Sequence, residues 1–216
     1  MIELAVFDLD GTLVNSIYDL ADAVNNALAD NGYPTHELEA YKHFVGNGAK
    51  KLIERALPAG TDRQECSRIH GEYTKYYRAH CLDKTLPYDG MPELVARLRA
   101  EGIKCAVASN KPDEFSKEIV TALFGSDGFD LVRGKLEGAA SKPAPDILYG
   151  IAKTLGTGIE KAVMIGDSNV DVQTAHNAGI KCIGCTWGFR GRAELEAEGA
   201  DFIAETAQDI ADIIIR

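Results

Sequence analysis

In Asp8-Leu-Asp10-Gly11-Thr12 two carboxylates lie two residues apart, directly after an apolar run. While the chain stays extended, side chains at that spacing point the same way. Two carboxylates cannot share a dry site without a cation. Asp167 and Asp171, in Gly166-Asp-Ser-Asn-Val-Asp171, supply two more acids four residues apart, a spacing that brings both over one site at a helix start. The set Asp8, Asp10, Asp167 and Asp171 contains neither His nor Cys, so it suits a hard, oxygen-loving dication such as Mg²⁺ rather than zinc. Lys142 adds a fixed positive charge, and Ser109, Asn110 and the backbone N–H groups around Gly11 and Thr12 offer hydrogen bonds. Together these parts make a phosphoryl-binding site with a carboxylate inside it.

The surrounding pattern must bring these scattered residues together. Residues 2–9 read as a short buried strand. Beyond Pro92 the chain alternates regularly: helices are expected at 93–101, 112–123, 145–155, 170–178, 193–198 and 207–214, with strands at 104–109, 129–132, 162–165, 181–186 and 201–204. Such alternation implies right-handed crossovers and an α/β fold with a doubly wound, mostly parallel, Rossmann-like sheet. Ligands bind such sheets outside the carboxyl ends of the strands, where Asp8, Ser109 and Asp167 are expected. Between lies a different segment. Ser16 is a plausible helix N-cap, and Ile17, Leu20, Ala21, Val24, Ala27 and Leu28 recur at helical spacing until Gly32 and Pro34. Further helices are expected at 35–44, at 49–57 after Gly46-Asn47-Gly48, and toward Cys81 from a capping box, Thr61-x-x-Gln64. The predicted organisation is a discontinuous α/β core, 1–14 and 87–216, with an inserted all-helical domain over 15–86.

A chain of 216 residues is longer than the commonest single domains and shorter than two, as a core with an insertion requires. Its 33 acidic against 23 basic residues give a net charge of −10, which argues against a nucleic-acid or anionic-membrane partner. The charge is uneven: the insertion holds 10 acidic and 9 basic residues, with four of the five histidines, so the core carries nearly the whole excess. No apolar run is long enough to span a bilayer and the N-terminus lacks the pattern of a secretory signal, so a cytoplasmic protein is expected. Five cysteines, an odd and sparse set, fit reduced thiols. Cys182 and Cys185 form a C-x-x-C, but on a strand positions three apart face opposite sides, and no second zinc-spaced pair accompanies them.

The motifs in this order resemble those of the haloacid dehalogenase superfamily of phosphatases, over essentially the whole chain. Asp8-Leu-Asp-Gly-Thr-Leu13 looks like the first motif, Ser109-Asn110 the second, Lys142-Pro143 the third, and residues 166–171 the fourth. The helical insertion resembles the mobile C1 cap. Residues 45–57 and Thr186-Trp-Gly-Phe-Arg-Gly191 look most like the phosphoglycolate phosphatase group. This resemblance implies that Asp8 attacks phosphorus to form an aspartyl phosphate, while Asp10 protonates the leaving alkoxide and later deprotonates water. It implies Mg²⁺ held by Asp8, a backbone carbonyl of Asp10 and Asp167, with Asp171 acting through water or by orienting Lys142. The expected substrate is a small anionic phosphate ester, 2-phosphoglycolate above all, for a monomer or homodimer. Its organic part would meet Gly46, Asn47 and Gly48 at a helix start, with Lys50 or Arg55 nearby. Sister chemistries stay open at this point: pyrophosphatase, nucleotidase, sugar-phosphate phosphatase and β-phosphoglucomutase-like phosphotransferase. More distant is a receiver-like signalling domain phosphorylated on Asp. One departure is Asn15, where an acid is common in the family.

Overall fold

A computed structural model describes residues 1–215. Six parallel strands form the central sheet: β1 (Leu4–Phe7), β4 (Lys104–Pro112), β5 (Leu131–Lys135), β6 (Ala162–Gly166), β7 (Lys181–Cys185) and β8 (Phe202–Ala204), in the spatial order β5-β4-β1-β6-β7-β8. After β1 the chain builds outward through β4 and β5 and then returns to place β6 on the other side of β1. This reversal makes the carboxyl end of β1 the crevice where such sheets bind ligands. Phe7 pairs with Val107 of β4 and Ile165 of β6, so Asp8 emerges level with the end of β6 and one residue before Ser109 on β4.

Side chains of β1 alternate between two layers. Ala5 and Phe7 pack on the face covered by α5 (Met91–Ala100), α6 (Asp113–Phe124) and α10 (Ala207–Ile214). Leu4 and Val6 pack on the other, covered by α7 (Asp146–Thr154), α8 (Asn169–Asn177) and α9 (Arg192–Ala197). Burial on both faces explains why β1 reads as an unbroken apolar run rather than an alternating one. Cys182 and Cys185 fall in opposite layers, both buried, which bars them from acting as a dithiol pair.

Between β1 and α5 stand four helices, α1 (Ile17–Ala29), α2 (Leu38–Phe44), α3 (Ala49–Ala56) and α4 (Arg63–His80). The six apolar positions of α1 expected on one face are all buried. Among the described residues, no helix is long and apolar enough to cross a membrane.

Several local expectations are corrected. Two-residue strands, β2 (Val14–Asn15) and β3 (Leu86–Pro87), pair antiparallel and tie the outgoing and returning chain together. Neither was expected, because two residues carry no periodicity and Pro87 argues against a strand. The helix expected from residue 35 starts at Leu38, since the Asn25 side chain holds both backbone groups of His36 in a non-helical turn. The cap of α4 is Asp62, which accepts from the backbone N–H groups of Gln64 and Glu65, whereas the Thr61 hydroxyl turns back to the Pro58 carbonyl. Ser16 does occupy the N-cap position of α1, but its hydroxyl serves Asp10 instead. The strand expected at 129–132 lies at Leu131–Lys135, and β4 continues through residues 109–112, past the apolar run.

Candidate active site

Asp8 and Asp167 at the ends of β1 and β6, Asp171 in the first turn of α8 and Lys142 in the loop before α7 come together. One carboxylate oxygen from each of Asp8, Asp167 and Asp171 lies within 4.8 Å of the others. Lys142 Nζ lies 2.8 Å from Asp8 Oδ1 and 2.7 Å from Asp171 Oδ1, and donates to the Ala108 carbonyl at 2.8 Å. Those three acceptors use all three of its protons. Asp171 caps its own helix, its Oδ2 accepting from the Ser168 hydroxyl and backbone N–H. Asp167 accepts from the Thr12 hydroxyl at 3.2 Å and the Phe189 backbone N–H at 2.8 Å.

Close glycines allow this density. A Cβ on Gly11, at φ +90°, would sit 2.4 Å from Asp167 Oδ2, and one on Gly166 would sit 2.2 Å from Asp171 Cβ. Burial, opposed by Lys142 and reinforced by Asp171, pushes the Asp8 carboxyl up to about 7. Asp167 is raised well above the usual carboxylate range by burial and then by the Asp171 and Asp8 charges. For Lys142 burial pulls downward, yet Asp171 and Asp8 beside it hold its ammonium above the ordinary value. An all-oxygen donor set whose buried acids resist ionisation together is the electrostatic complement of a hard dication, so the residues present fit Mg²⁺.

Asp10 stands apart from the three clustered acids. Its Oδ1 accepts from the Ser16 hydroxyl at 2.5 Å, and Lys111 Nζ reaches Oδ1 at 2.8 Å and Oδ2 at 3.0 Å. Its side chain is thus engaged by Ser16 and Lys111 and lies outside the Asp8, Asp167 and Asp171 cluster. Lys111 is buried and was missed from the sequence; its one signal was a lysine directly after Ser109-Asn110, at the end of an apolar strand. Asp8, Asp10, Ser109, Asn110 and Lys111 line one cavity with Gly46, Gly48 and Leu52 of the helical block.

Other expected contacts take different forms. The Asn110 side-chain amide donates to the Gly46 and Lys142 carbonyls, and its oxygen accepts from the Lys142 backbone N–H, so it braces the lysine loop against the insertion instead of pointing donors at a ligand. The Thr12 hydroxyl is spent on Asp167. Ser109 retains its own O–H donor, since its oxygen only accepts, from Lys111 N–H. Gly46 and Gly48 reach the cavity, but Asn47 turns its oxygen to Arg55, which also holds the Phe44 carbonyl. Lys50 opens onto a separate hollow with Lys51, Arg63 and His70. Arg190, another residue not foreseen, reaches from the loop after β7 to the Val45 carbonyl and His43 ring of the insertion.

A Rossmann-like sheet with paired acids at β1, a lysine and a third acid at β6 defines an α/β phosphoryl-transfer enzyme. A family model of haloacid dehalogenase-like hydrolases matches residues 5–185, and the chain belongs to that family as a phosphatase. It is 36% identical over 215 residues to phosphoglycolate phosphatase of Colwellia psychrerythraea, covering 96% of this chain and 95% of that one. Phosphoglycolate phosphatase of Pseudomonas putida is 33% identical over 208 residues, covering 94% and 76%. Among solved structures, CbbY from Rhodobacter sphaeroides in complex with phosphate superposes with a TM-score of 0.81 at 28% identity, covering 97% of this chain and 96% of that one.

Proposed function

We propose that the chain hydrolyses a small phosphate monoester, 2-phosphoglycolate first among them, with Mg²⁺ and through an aspartyl phosphate on Asp8. The observation that carries this reading is Asp8 itself: a strand-end carboxylate held at once against Lys142 and two further acids, on a cavity that also contains Asp10 and Ser109. The relatives named as phosphoglycolate phosphatases, matched over nearly the whole chain, support the choice of substrate.

Asp8, Asp167 and Asp171, with the Asp10 backbone carbonyl, would hold Mg²⁺. When bound, it supplies positive charge that offsets the carboxylates and the phosphoryl oxygens. Lys142 adds charge fixed by three partners, and the Ser109 hydroxyl donates to a phosphoryl oxygen, so little reorganisation is needed as charge develops. An Asp8 oxygen attacks phosphorus, the ester P–O bond breaks, and the leaving alkoxide takes a proton from Asp10. Water then attacks the phosphorus of the acyl phosphate while Asp10 takes its proton, releasing phosphate and restoring Asp8. Residues 15–86 act as the cap, with Gly46 and Gly48 closing the cavity above Asn110.

The test is phosphate release by the purified protein over a panel of small esters with Mg²⁺, repeated after chelation and with Asp8→Asn. Turnover of 2-phosphoglycolate that needs Mg²⁺, with Asp8→Asn at least about 10³-fold slower, is expected. Normal hydrolysis by Asp8→Asn protein would falsify the mechanism.

A further inference from the structure

We infer that Lys111 is the specificity residue for a second anionic group on the substrate, a carboxylate one carbon from the ester oxygen. This rests on the proposed phosphatase reading and adds to it the recognition of the organic part. Lys111 is buried, and among the described residues it is the one basic side chain lining the cavity that holds Asp8, Asp10 and Ser109.

Donor accounting separates it from the other cations. Lys142 has committed its three protons to Asp8, Asp171 and the Ala108 carbonyl. Arg55 is engaged with the Phe44 carbonyl and Asn47, Arg190 with the Val45 carbonyl and His43, and Lys50 lies on a different hollow. Lys111, by contrast, has Asp10 as its carboxylate partner and the Tyr77 ring beside it, 4.9 Å from the ammonium to the ring centre. Tyr77 in turn stacks on Tyr73, whose side of the cavity continues into Leu20, Val45 and Leu52. The aromatic face fixes the lysine without consuming an N–H, so an ammonium proton stays available for an incoming acceptor.

The walls limit what that acceptor can be attached to. The lining combines Asp8, Asp10 and Ser109 with apolar Leu20, Val45 and Leu52, and Lys111, bonded to Asp10, is its one cation among the described residues. A short carbon unit carrying a carboxylate satisfies both. A neutral group of the same size would offer the remaining ammonium proton only an uncharged acceptor, and a long polar substrate would leave its hydroxyls against Leu20, Val45 and Leu52.

The experiment compares kcat/KM for 2-phosphoglycolate with that for its isosteric, uncharged amide, on the unaltered enzyme and on Lys111→Met and Lys111→Gln. Each protein is read as a ratio of the two esters, which partial loss of folded enzyme does not change. The unaltered enzyme is expected to prefer the carboxylate by about 10- to 100-fold, the value of a buried charge-assisted hydrogen bond. In both variants the preference should shrink to within about threefold. Equal use of the two esters by the unaltered enzyme, or variants that lose rate on both while keeping the original ratio, would overturn the role of Lys111 and leave the phosphatase reading standing. An enzyme that releases phosphate from neither ester, nor from any small phosphate ester, would overturn both.

Discussion

Asp167 illustrates how completely a single acid here is defined by its surroundings. Thr12 and the Phe189 backbone N–H orient its two oxygens, and Gly11 leaves room for them at a distance no side chain could share. Gly11→Ala would force a Cβ against that carboxylate and strain a positive φ at the same time. The expected result is a 10- to 100-fold (roughly) higher Mg²⁺ concentration for half-maximal activity, measured by titrating the metal at saturating substrate. Unchanged metal dependence would show that Asp167 tolerates displacement. Lys142 and Lys111 make an instructive pair: both are buried lysines bound to aspartate, but one has no donor to spare and the other does. Neither distinction follows from residue type. It follows from counting acceptors, which only coordinates allow.

Among the elements, the two crossings between core and insertion are the joint on which a moving cap would turn. β2 and β3 pair there, and Asp19 of α1 clamps the returning chain, accepting from the backbone N–H groups of Lys84 and Thr85 and from the Thr85 hydroxyl. Asp19 is 2% exposed, so its removal leaves buried donors without acceptors. Asp19→Ala should therefore cost about 2–4 kcal/mol, a fall of about 5–15 °C in Tm by calorimetry, although the residue touches no catalytic group. A loss below about 0.5 kcal/mol would mean that water replaces the carboxylate at the joint. On the closing side, Asn110 to Gly46 and Arg190 to Val45 are core side chains gripping backbone carbonyls of the insertion. Carbonyls are always present whatever the side chain, which explains why the grip on the insertion had no sequence signature on that partner.

For the whole molecule, the charge of −10 is concentrated in the core, and part of it is turned inward at one buried site. This has a consequence for pH. Asp8 is raised to about 7 and Asp167 well above its usual range, each first by burial, whereas in the unfolded chain both titrate near 4 (roughly). The folded state thus holds protons that the unfolded state has released, so ∂ΔG/∂pH is negative between the two values. Their favourable contribution is complete below about pH 4 and is lost as pH rises through about 7. Metal-free protein should melt at a lower temperature at pH 8 than at pH 5.5, with a smaller difference in Asp8→Asn. Excess Mg²⁺ should restore about 3–10 °C at pH 8 and less at pH 5.5. A metal-free Tm that is flat or rising across this range in the unaltered protein would contradict the buried-acid account.

Much of this was legible in one dimension. Apolar runs ending in acids, the switch from a helical block to strict alternation, and the order of Asp8, Ser109, Lys142 and Asp167 determined the fold class and marked a phosphoryl-binding set of side chains, because strand burial and side-chain period are local properties of the chain. What only the tertiary structure decided were the relations between residues far apart in the chain. Lys111 meets Asp10 across 101 positions, Asn110 and Thr12 spend their side chains on neighbours, and Lys50 faces away from the site to which its position beside Gly48 had assigned it. Each side chain has few donors and acceptors, and their allocation depends on which partners the packed elements bring within about 3 Å, a condition that no local pattern encodes.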